Sequence, residues 1–262
     1  MTKIIAITNQ KGGVGKTTTS VNLAASLAAA KRRVLLIDLD PQGNATMGSG
    51  VNKNALEATV YHVLLEQKKL MDVRITTQPG KFDLIPANRE LAGAEVELVD
   101  QAHREVRLKN ALQTHAESYD FILIDCPPAL NLLTVNALCA ADAVMIPMQC
   151  EYYALEGLSD LVQTIKKVRT HLNPSLEIEG LLRTMFDPRN ALGQQVSDQL
   201  LKHFGEKVYR TVIPRNVRLA EAPSFGAPVL FHDKNSKGAK AYLALAGEMI
   251  KRKTPLMQPA GK

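Results

Sequence analysis

Apolar positions follow two different periods along the chain. Short runs that are apolar at nearly every position indicate strands buried on both faces, and apolar positions three or four residues apart indicate helices. The runs predict strands at 3–8, 34–37, 82–85, 121–124, 143–147, 178–185 and 208–213. The wider spacing predicts helices from about 16 to 32 and at 59–66, 132–140, 155–172, 192–204 and 238–251, with further helical periodicity within 88–117 and a loop at 42–54.

Strands and helices alternate with short connections, which is typical of a parallel sheet covered by helices. We therefore expect an α/β fold over residues 1–253: a single domain with a mostly parallel twisted sheet and helices on both faces. Residues 254–262 hold two prolines and a glycine, and we expect them to form a flexible tail.

Composition supports this class and excludes several others. Hydrophobic residues make up 45% of the 262 residues, aromatic residues 5% and charged residues 22%, which argues against disorder and against an aromatic-rich sandwich. Three dispersed cysteines and six scattered histidines predict a reducing cytosol and no transition-metal site. No apolar run could span a membrane and no signal peptide is evident, so we expect a soluble, cytoplasmic protein.

A glycine-rich segment between the first strand and the first helix predicts a phosphate site. Gly12, Gly13 and Gly15 leave room for backbone N–H groups to surround phosphate oxygens. Lys16 can reach the β- and γ-phosphates, and the Thr17 hydroxyl can join a Mg²⁺ shell.

This segment departs from the usual G-x-x-x-x-G-K-[ST] pattern. Gln10 stands where the first glycine belongs, and Lys11 adds a second cation near Lys16. Because the two lysines repel each other, Lys11 is expected to serve a different phosphate oxygen or a different chain.

Three carboxylates follow apolar strands. Asp125 ends one strand and can hold the water shell of Mg²⁺, while Asp38 and Asp40 follow another. They could converge at the carboxyl ends of the sheet, where ligands of α/β proteins bind. Asp40 is the better placed to face an attacking water, with Asp38 nearer the core; capping of a helix by Asp125 stays open as an alternative.

Positive charge is concentrated at the C-terminal end of the chain. Residues 202–262 hold 12 basic and 4 acidic side chains, whereas residues 1–201 hold 20 and 22. Arg189, Arg215 and Arg218, with the cluster at 251–253, could bind nucleic acid phosphates without base specificity, because no base-reading motif is evident. A merely solvated basic surface is the alternative.

At these motifs the chain resembles the ParA/Soj family of bacterial partitioning ATPases, which carry a deviant Walker A P-loop. Residues 11–18 (KGGVGKTT), 37–44 (IDLDPQGN) and 124–128 (IDCPP) are similar to three family motifs. Residues 149–157 and 212–219 resemble the chromosomal branch specifically. The resemblance extends from about residue 1 to about residue 250.

The resemblance implies a role for each matching residue. Lys11 would reach across a nucleotide sandwich homodimer to the partner's ATP, Gly12 would lie where the chains meet, and Asp40 would position the hydrolytic water. Pro214 and Asn216 would border the adenine. The nucleotide-binding set would comprise Lys11, Gly12, Gly13, Val14, Gly15, Lys16, Thr17, Thr18, Pro214 and Asn216, with Lys11, Lys16 and Asp40 catalytic and Thr17 and Asp125 (through water) on Mg²⁺.

The family also implies partners and a cycle. The ATP-bound dimer would bind double-stranded DNA non-specifically through Arg189 and Arg218, associate with the nucleoid, and be released when a ParB-type centromere-binding protein stimulates slow ATP hydrolysis to ADP. The main alternative is a MinD-like membrane-positioning ATPase, which needs an amphipathic C-terminal anchor that residues 251–259 lack. An iron–sulfur carrier, an operator-binding plasmid relative and a small-molecule ligase or kinase are weaker alternatives.

Overall fold

Seven strands form the centre of the molecule in the computed structural model, which describes residues 2–253. They are β1 (Lys3–Ile7), β2 (Val34–Asp38), β3 (Ile75–Thr76), β4 (Asp83–Ile85), β5 (Phe121–Asp125), β6 (Ala143–Met148) and β7 (Glu177–Arg183). Their order across the sheet is β3-β4-β2-β5-β1-β6-β7. Every neighbouring pair is parallel except β3 and β4, so the predicted mostly parallel sheet is confirmed.

The described residues also form twelve α-helices, of which the last four follow β7. They are α1 (Lys16–Ala29), α2 (Asn44–Gly48), α3 (Val60–Leu64), α4 (Leu70–Val73), α5 (Leu91–Glu97), α6 (Arg107–Leu112), α7 (Leu132–Ala140), α8 (Ala154–His171), α9 (Ala191–Phe204), α10 (Val217–Glu221), α11 (Val229–His232) and α12 (Lys237–Lys253). None of these helices combines the length and the apolar content that a membrane crossing requires.

The sheet separates two apolar cores because successive side chains of a strand point to opposite faces. On β1, Ile5 and Ile7 pack with residues of α1 and α12, whereas Ala6 packs with residues of α3 and α5–α9. All of these strand residues are fully buried, which explains why the predicted strands are apolar at consecutive positions. Helices therefore cover both faces, as predicted.

The strand predicted at 208–213 is wrong. Within the described residues, Val208 makes an isolated parallel bridge to Leu181, and backbone pairing with β7 is limited to Tyr209 N–H on the Leu181 carbonyl and Ile213 N–H on the Arg183 carbonyl. Glu248 of α12 accepts hydrogen bonds from the backbone N–H groups of Arg210 and Thr211, both at 2.9 Å. These donors are therefore already used by a helix side chain instead of a strand.

Two other predictions need correction. The loop expected at 42–54 contains α2, because both the backbone N–H and the hydroxyl of Thr46 donate to the Asp38 carboxylate. The helical periodicity within 88–117 belongs to two shorter helices, α5 and α6. The side chain of Asn136 accepts from Leu108 N–H and donates to the Arg104 carbonyl, which fixes an irregular segment before α6.

The predicted division at residue 253 stays a prediction. Helix α12 ends at Lys253, and the expected flexible tail at 254–262 lies outside the described residues.

Candidate functional site

The carboxyl ends of β1, β2 and β5 lie side by side and bring the candidate site together. Asp125 is in register with both Ile7 of β1 and Asp38 of β2. The glycine-rich loop that follows β1 and the two acidic strand ends therefore meet at one edge of the sheet, as the apolar runs predicted.

The loop between β1 and α1 leaves an open space at its glycines. Gly13 and Gly15 adopt left-handed backbone conformations with φ of 74° and 88°, which side chains disfavour. A Cβ atom built on Gly12 or Gly13 meets no heavy atom within 4 Å. The N-cap of the 14-residue helix α1 has no side-chain hydrogen bond and its first turn has no acidic residue, so this helix end can attract an anion.

Lys16 lies inside this loop. Its side chain is buried, and Nζ donates to the carbonyl oxygen of Lys11 at 3.1 Å. Burial lowers the pKa of this amine, while the negative charges of Asp125 and Asp40 oppose the shift. This partly desolvated ammonium can replace its hydrogen bond to the Lys11 carbonyl oxygen with a stronger, charge-assisted hydrogen bond to a phosphate oxygen.

Neighbouring residues hold the loop in place. Val14 is buried, and its carbonyl oxygen accepts a hydrogen bond from the Thr184 hydroxyl at 2.7 Å. The Thr18 carbonyl accepts from the Asn22 side chain at 2.7 Å. Thr184 follows β7 and carried no signal in the sequence that would have marked it as part of the site.

Asp125 has the least satisfied carboxylate at this edge. Its Oδ1 accepts from the Ser20 hydroxyl at 2.8 Å, but its fully buried Oδ2 has no hydrogen-bond partner among the described residues. Burial, followed by the charge of Asp38, raises the pKa of Asp125, and the hydroxyls of Ser20 and Thr17 lower it in part. A cation beside Asp125 and Thr17 would relieve this cost.

The donor set at this position suits magnesium. The described residues contain no group of three or more histidine, cysteine or acidic side chains that could hold a metal by themselves. One hydroxyl and one carboxylate, completed by phosphate and water oxygens, match the usual Mg²⁺ environment. Asp125 and Thr17 therefore fit a metal that arrives with a nucleotide.

Asp38 and Asp40 have different surroundings. Both oxygens of the fully buried Asp38 accept hydrogen bonds, from Asp40 N–H and from Thr46, so Asp38 anchors the start of α2. Asp40 lies on the loop that follows, where its Oδ1 accepts from Gln42 N–H at 2.9 Å. Asp40 lies close enough to Lys16 and Asp125 for its charge to oppose the lowering of the Lys16 pKa and to add to the raising of the Asp125 pKa.

Lys11 is exposed and forms an ion pair within its own chain. Its Nζ lies 2.6 Å from Oε2 of Glu151, which follows β6, and both side chains are about half exposed. The Lys11 N–H donates to Asn9 Oδ1 at 3.0 Å. Glu151 lies in the segment 149–157, which resembles the chromosomal branch of the ParA/Soj family, but nothing in the surrounding sequence indicated that it pairs with Lys11.

A cleft of about 180 Å³ opens beside the phosphate loop. It is lined by Gly15, Thr18, Thr184, Met185, Ile213, Pro214, Arg215, Asn216, Leu219, Ala220 and Tyr242. Asn216 Oδ1 is buried there without a hydrogen-bond partner among the described residues. The cleft thus brings together the predicted Pro214 and Asn216 and adds Met185, which the sequence did not reveal.

The two arginines predicted to contact DNA come from separate segments that the fold brings near each other. An isolated parallel bridge joins Phe186 to Pro214, with Phe186 N–H donating to the Ile213 carbonyl at 3.0 Å. Arg189 follows the first segment and is 88% exposed, and Arg218 lies on α10 and is 52% exposed. Both side chains are available to a large ligand.

The chain matches the AAA domain family over residues 2–178. It is 58% identical over 249 residues to the sporulation initiation inhibitor protein Soj of Bacillus subtilis, covering 95% of this chain and 98% of that protein. It is 53% identical over 253 residues to the chromosome partitioning protein ParA of Myxococcus xanthus, covering 97% and 89%. The crystal structure of cobyrinic acid a,c-diamide synthase from Mycobacterium smegmatis, with bound ADP and magnesium, is 36% identical with a TM-score of 0.85 and covers 100% of both chains.

Proposed function

The chain belongs to the ParA/Soj family of chromosome-partitioning ATPases, and on that premise we propose that it is an ATP-driven switch that binds DNA as a dimer. One observation carries this proposal. Pro214, Asn216 and Leu219 line the cleft together with Gly15. The same segment carries Arg215 and Arg218, so it contributes to both the nucleotide cleft and the basic surface. A change in nucleotide can therefore alter the surface that meets DNA.

ATP and ADP would bind along the phosphate loop and the cleft. The N–H groups of residues 12–18 and the Lys16 ammonium would receive the phosphates. In the cleft, the adenine would lie against Pro214, and its amino group would donate to Asn216 Oδ1, which is buried and has no hydrogen-bond partner in the described part of the chain.

Mg²⁺ would be held by the Thr17 hydroxyl and, through water, by Asp125. When bound, it neutralises negative charge on the β- and γ-phosphate oxygens. In the free chain, burial makes the negative charge of the Asp125 carboxylate unfavourable. Interaction with the cation that arrives with the nucleotide would offset this unfavourable charge.

Hydrolysis would depend on Asp40 and Lys11. Asp40 would orient the attacking water, since it lies beside Lys16 on a loop fixed by Gln42 N–H. Lys11 would break its ion pair with Glu151 and reach the γ-phosphate of the ATP bound to the second chain of the dimer. Gly12 would lie where the two chains approach each other most closely. Slow turnover follows from the lack of a stronger base at this position, and a ParB-type partner would accelerate it.

Dimerisation would join two copies of the basic surface that contains Arg189 and Arg218. Because such contacts engage phosphates, binding to double-stranded DNA would be independent of base sequence and sensitive to salt. The protein would act in the cytoplasm on the nucleoid.

The decisive measurement is fluorescence anisotropy of a random-sequence DNA duplex with ATP, ADP or no nucleotide, in the presence of Mg²⁺. We expect tight binding only with ATP, retained by Asp40→Ala, which slows hydrolysis, and lost by Gly12→Val and Arg218→Glu. If no nucleotide state binds DNA, the proposed switch is wrong.

The MinD-like alternative is tested in parallel with anionic liposomes. The apolar face of α12, including Tyr242, Leu245 and Met249, is buried against the rest of the protein and is not available to a membrane. We therefore expect no ATP-dependent binding to liposomes.

A further inference from the structure

Both arginines expected to contact DNA are already paired with carboxylates of their own chain. Arg189 donates twice to Asp187, from Nε at 3.0 Å and from Nη2 at 2.7 Å. Arg218 donates from Nη1 to Glu221 at 2.8 Å, and its Nε lies 3.4 Å from Asp233. The basic surface therefore carries its own counter-charges.

Local chain geometry produces both pairs. Asp187 and Arg189 lie two residues apart in one turn, where Asp187 Oδ1 also accepts from Arg189 N–H at 3.0 Å. Arg218 and Glu221 are three residues apart on α10 and so share a helix face. The Arg189 hydrogen bonds lower the pKa of Asp187 to about 2, with Arg215 adding to the shift, so this carboxylate is charged at neutral pH.

These pairs are weak enough to break. Exposed ion pairs contribute only about 0–1 kcal/mol, so a closely approaching phosphate can take the guanidinium from its carboxylate. When a phosphate takes the guanidinium, the DNA releases one cation into solution. The carboxylate that has lost its arginine binds a cation from solution in exchange. Such a contact adds almost nothing to the net ion release that drives protein–DNA association.

We propose that Asp187 and Glu221 compete with DNA phosphate for Arg189 and Arg218 and thereby keep the DNA affinity of each chain low. The inference rests on the proposed function and deepens it. An attenuated surface binds DNA poorly as a monomer, and two copies joined in a dimer are needed for tight binding. The switch between monomer and dimer then has a larger effect on DNA occupancy than a fully exposed basic surface would give.

The test compares Asp187→Asn and Glu221→Gln with the wild type. Asparagine keeps the Oδ1 acceptor for Arg189 N–H, so the turn is retained while the charge is removed. Asp198→Asn is the matched control, because Asp198 is exposed on the neighbouring helix α9 and makes no ion pair within 4 Å among residues 2–253, its charge acting on Arg183 and not on Arg189 or Arg218. Binding to a random duplex is measured from 50 to 200 mM salt with ATP and Mg²⁺, alongside the dimer fraction of each variant.

We expect both variants to bind DNA more tightly than the wild type at low salt and with a steeper salt dependence. For Asp187→Asn, freeing Arg189 in each of two chains adds about −1.8 to the slope of log K against log salt, which corresponds to roughly a 12-fold larger loss of affinity between 50 and 200 mM. Glu221→Gln leaves Arg218 beside Asp233 and should change the slope by less. Asp198→Asn should leave the slope unchanged.

A double-mutant cycle separates direct competition from general repulsion. In an Arg189→Ala background, Asp187→Asn should have no effect, whereas long-range repulsion by Asp187 would persist. Unchanged or weaker binding by both variants, or an undiminished effect in the alanine background, overturns the competition. If Arg189→Ala and Arg218→Ala themselves leave DNA binding intact, the proposed DNA surface is wrong as well.

Discussion

Replacing Gly12 by valine should separate folding from dimerisation. A Cβ atom on Gly12 meets no heavy atom within 4 Å among the described residues of its own chain, and the Gly12 backbone lies outside the left-handed region. Valine there resembles a surface substitution, which typically changes the free energy of unfolding by less than about 0.5 kcal/mol. At roughly 2–4 °C per kcal/mol for a chain approaching this size, Tm should shift by no more than about 2 °C.

Gly43→Ala provides the matched contrast. Gly43 has φ of 60°, and a Cβ atom there would lie 2.6 Å from the carbonyl oxygen of Ala87. The left-handed conformation alone costs about 1–2 kcal/mol for alanine, which corresponds to roughly 2–8 °C in Tm. The clash with a backbone oxygen adds to that cost, so this variant should melt clearly earlier than the wild type.

Dimerisation is measured by light scattering on a sizing column, with Mg²⁺ and a non-hydrolysable ATP analogue. Wild type should change from the mass of one 28.6 kDa chain to that of two, while Gly12→Val should stay at one. A variant that still dimerises would show that the chains do not approach closely at Gly12. A fall of several degrees in Tm would instead show that Gly12 has a packing role within its own chain.

Three further predictions concern the nucleotide site. Burial raises the pKa of Asp125 above its ordinary value of 3.8, so the carboxylate costs stability increasingly as pH rises from about 4 to about 8. Without nucleotide, the Tm of Asp125→Asn relative to that of the wild type should therefore increase over that pH range. A constant difference between the two Tm values would contradict the burial argument. Asn216→Ala should weaken ATP binding by roughly 2–10-fold, the value of one hydrogen bond, and reduce discrimination against GTP in a competition assay; unchanged selectivity would place the adenine elsewhere. Glu151→Gln releases Lys11 from a pair worth at most about 1 kcal/mol in each of the two chains, so the ATP-dependent dimerisation constant should rise by up to about 30-fold in analytical ultracentrifugation. A fall would show that Glu151 serves the dimer directly.

Much of the fold follows from local pattern. The runs at 34–37 and 121–124 are apolar at every position because both faces of β2 and β5 are buried, and that pattern needs no knowledge of the neighbours. The strand expected at 208–213 is apolar at its two ends but polar at Arg210 and Thr211, and it fails because Glu248 of α12 accepts from the backbone N–H groups of these two residues. The local sequence cannot indicate the hydrogen bond between Arg210 N–H and Glu248, because the two residues are 38 positions apart.

The sequence by itself determined the class of fold, the phosphate loop and the strand-end carboxylates. Glycine spacing and apolar runs are local features, because the structure they produce depends mainly on residues adjacent in the sequence. The tertiary structure alone decided how the remaining groups are used. It paired Lys11 with Glu151, left Asp125 Oδ2 without a hydrogen-bond partner among residues 2–253, and brought residues 213–219 beside the phosphate loop through the bridge between Phe186 and Pro214. Each of these depends on segments far apart in the chain, whose distance is set only when both faces of the sheet are packed.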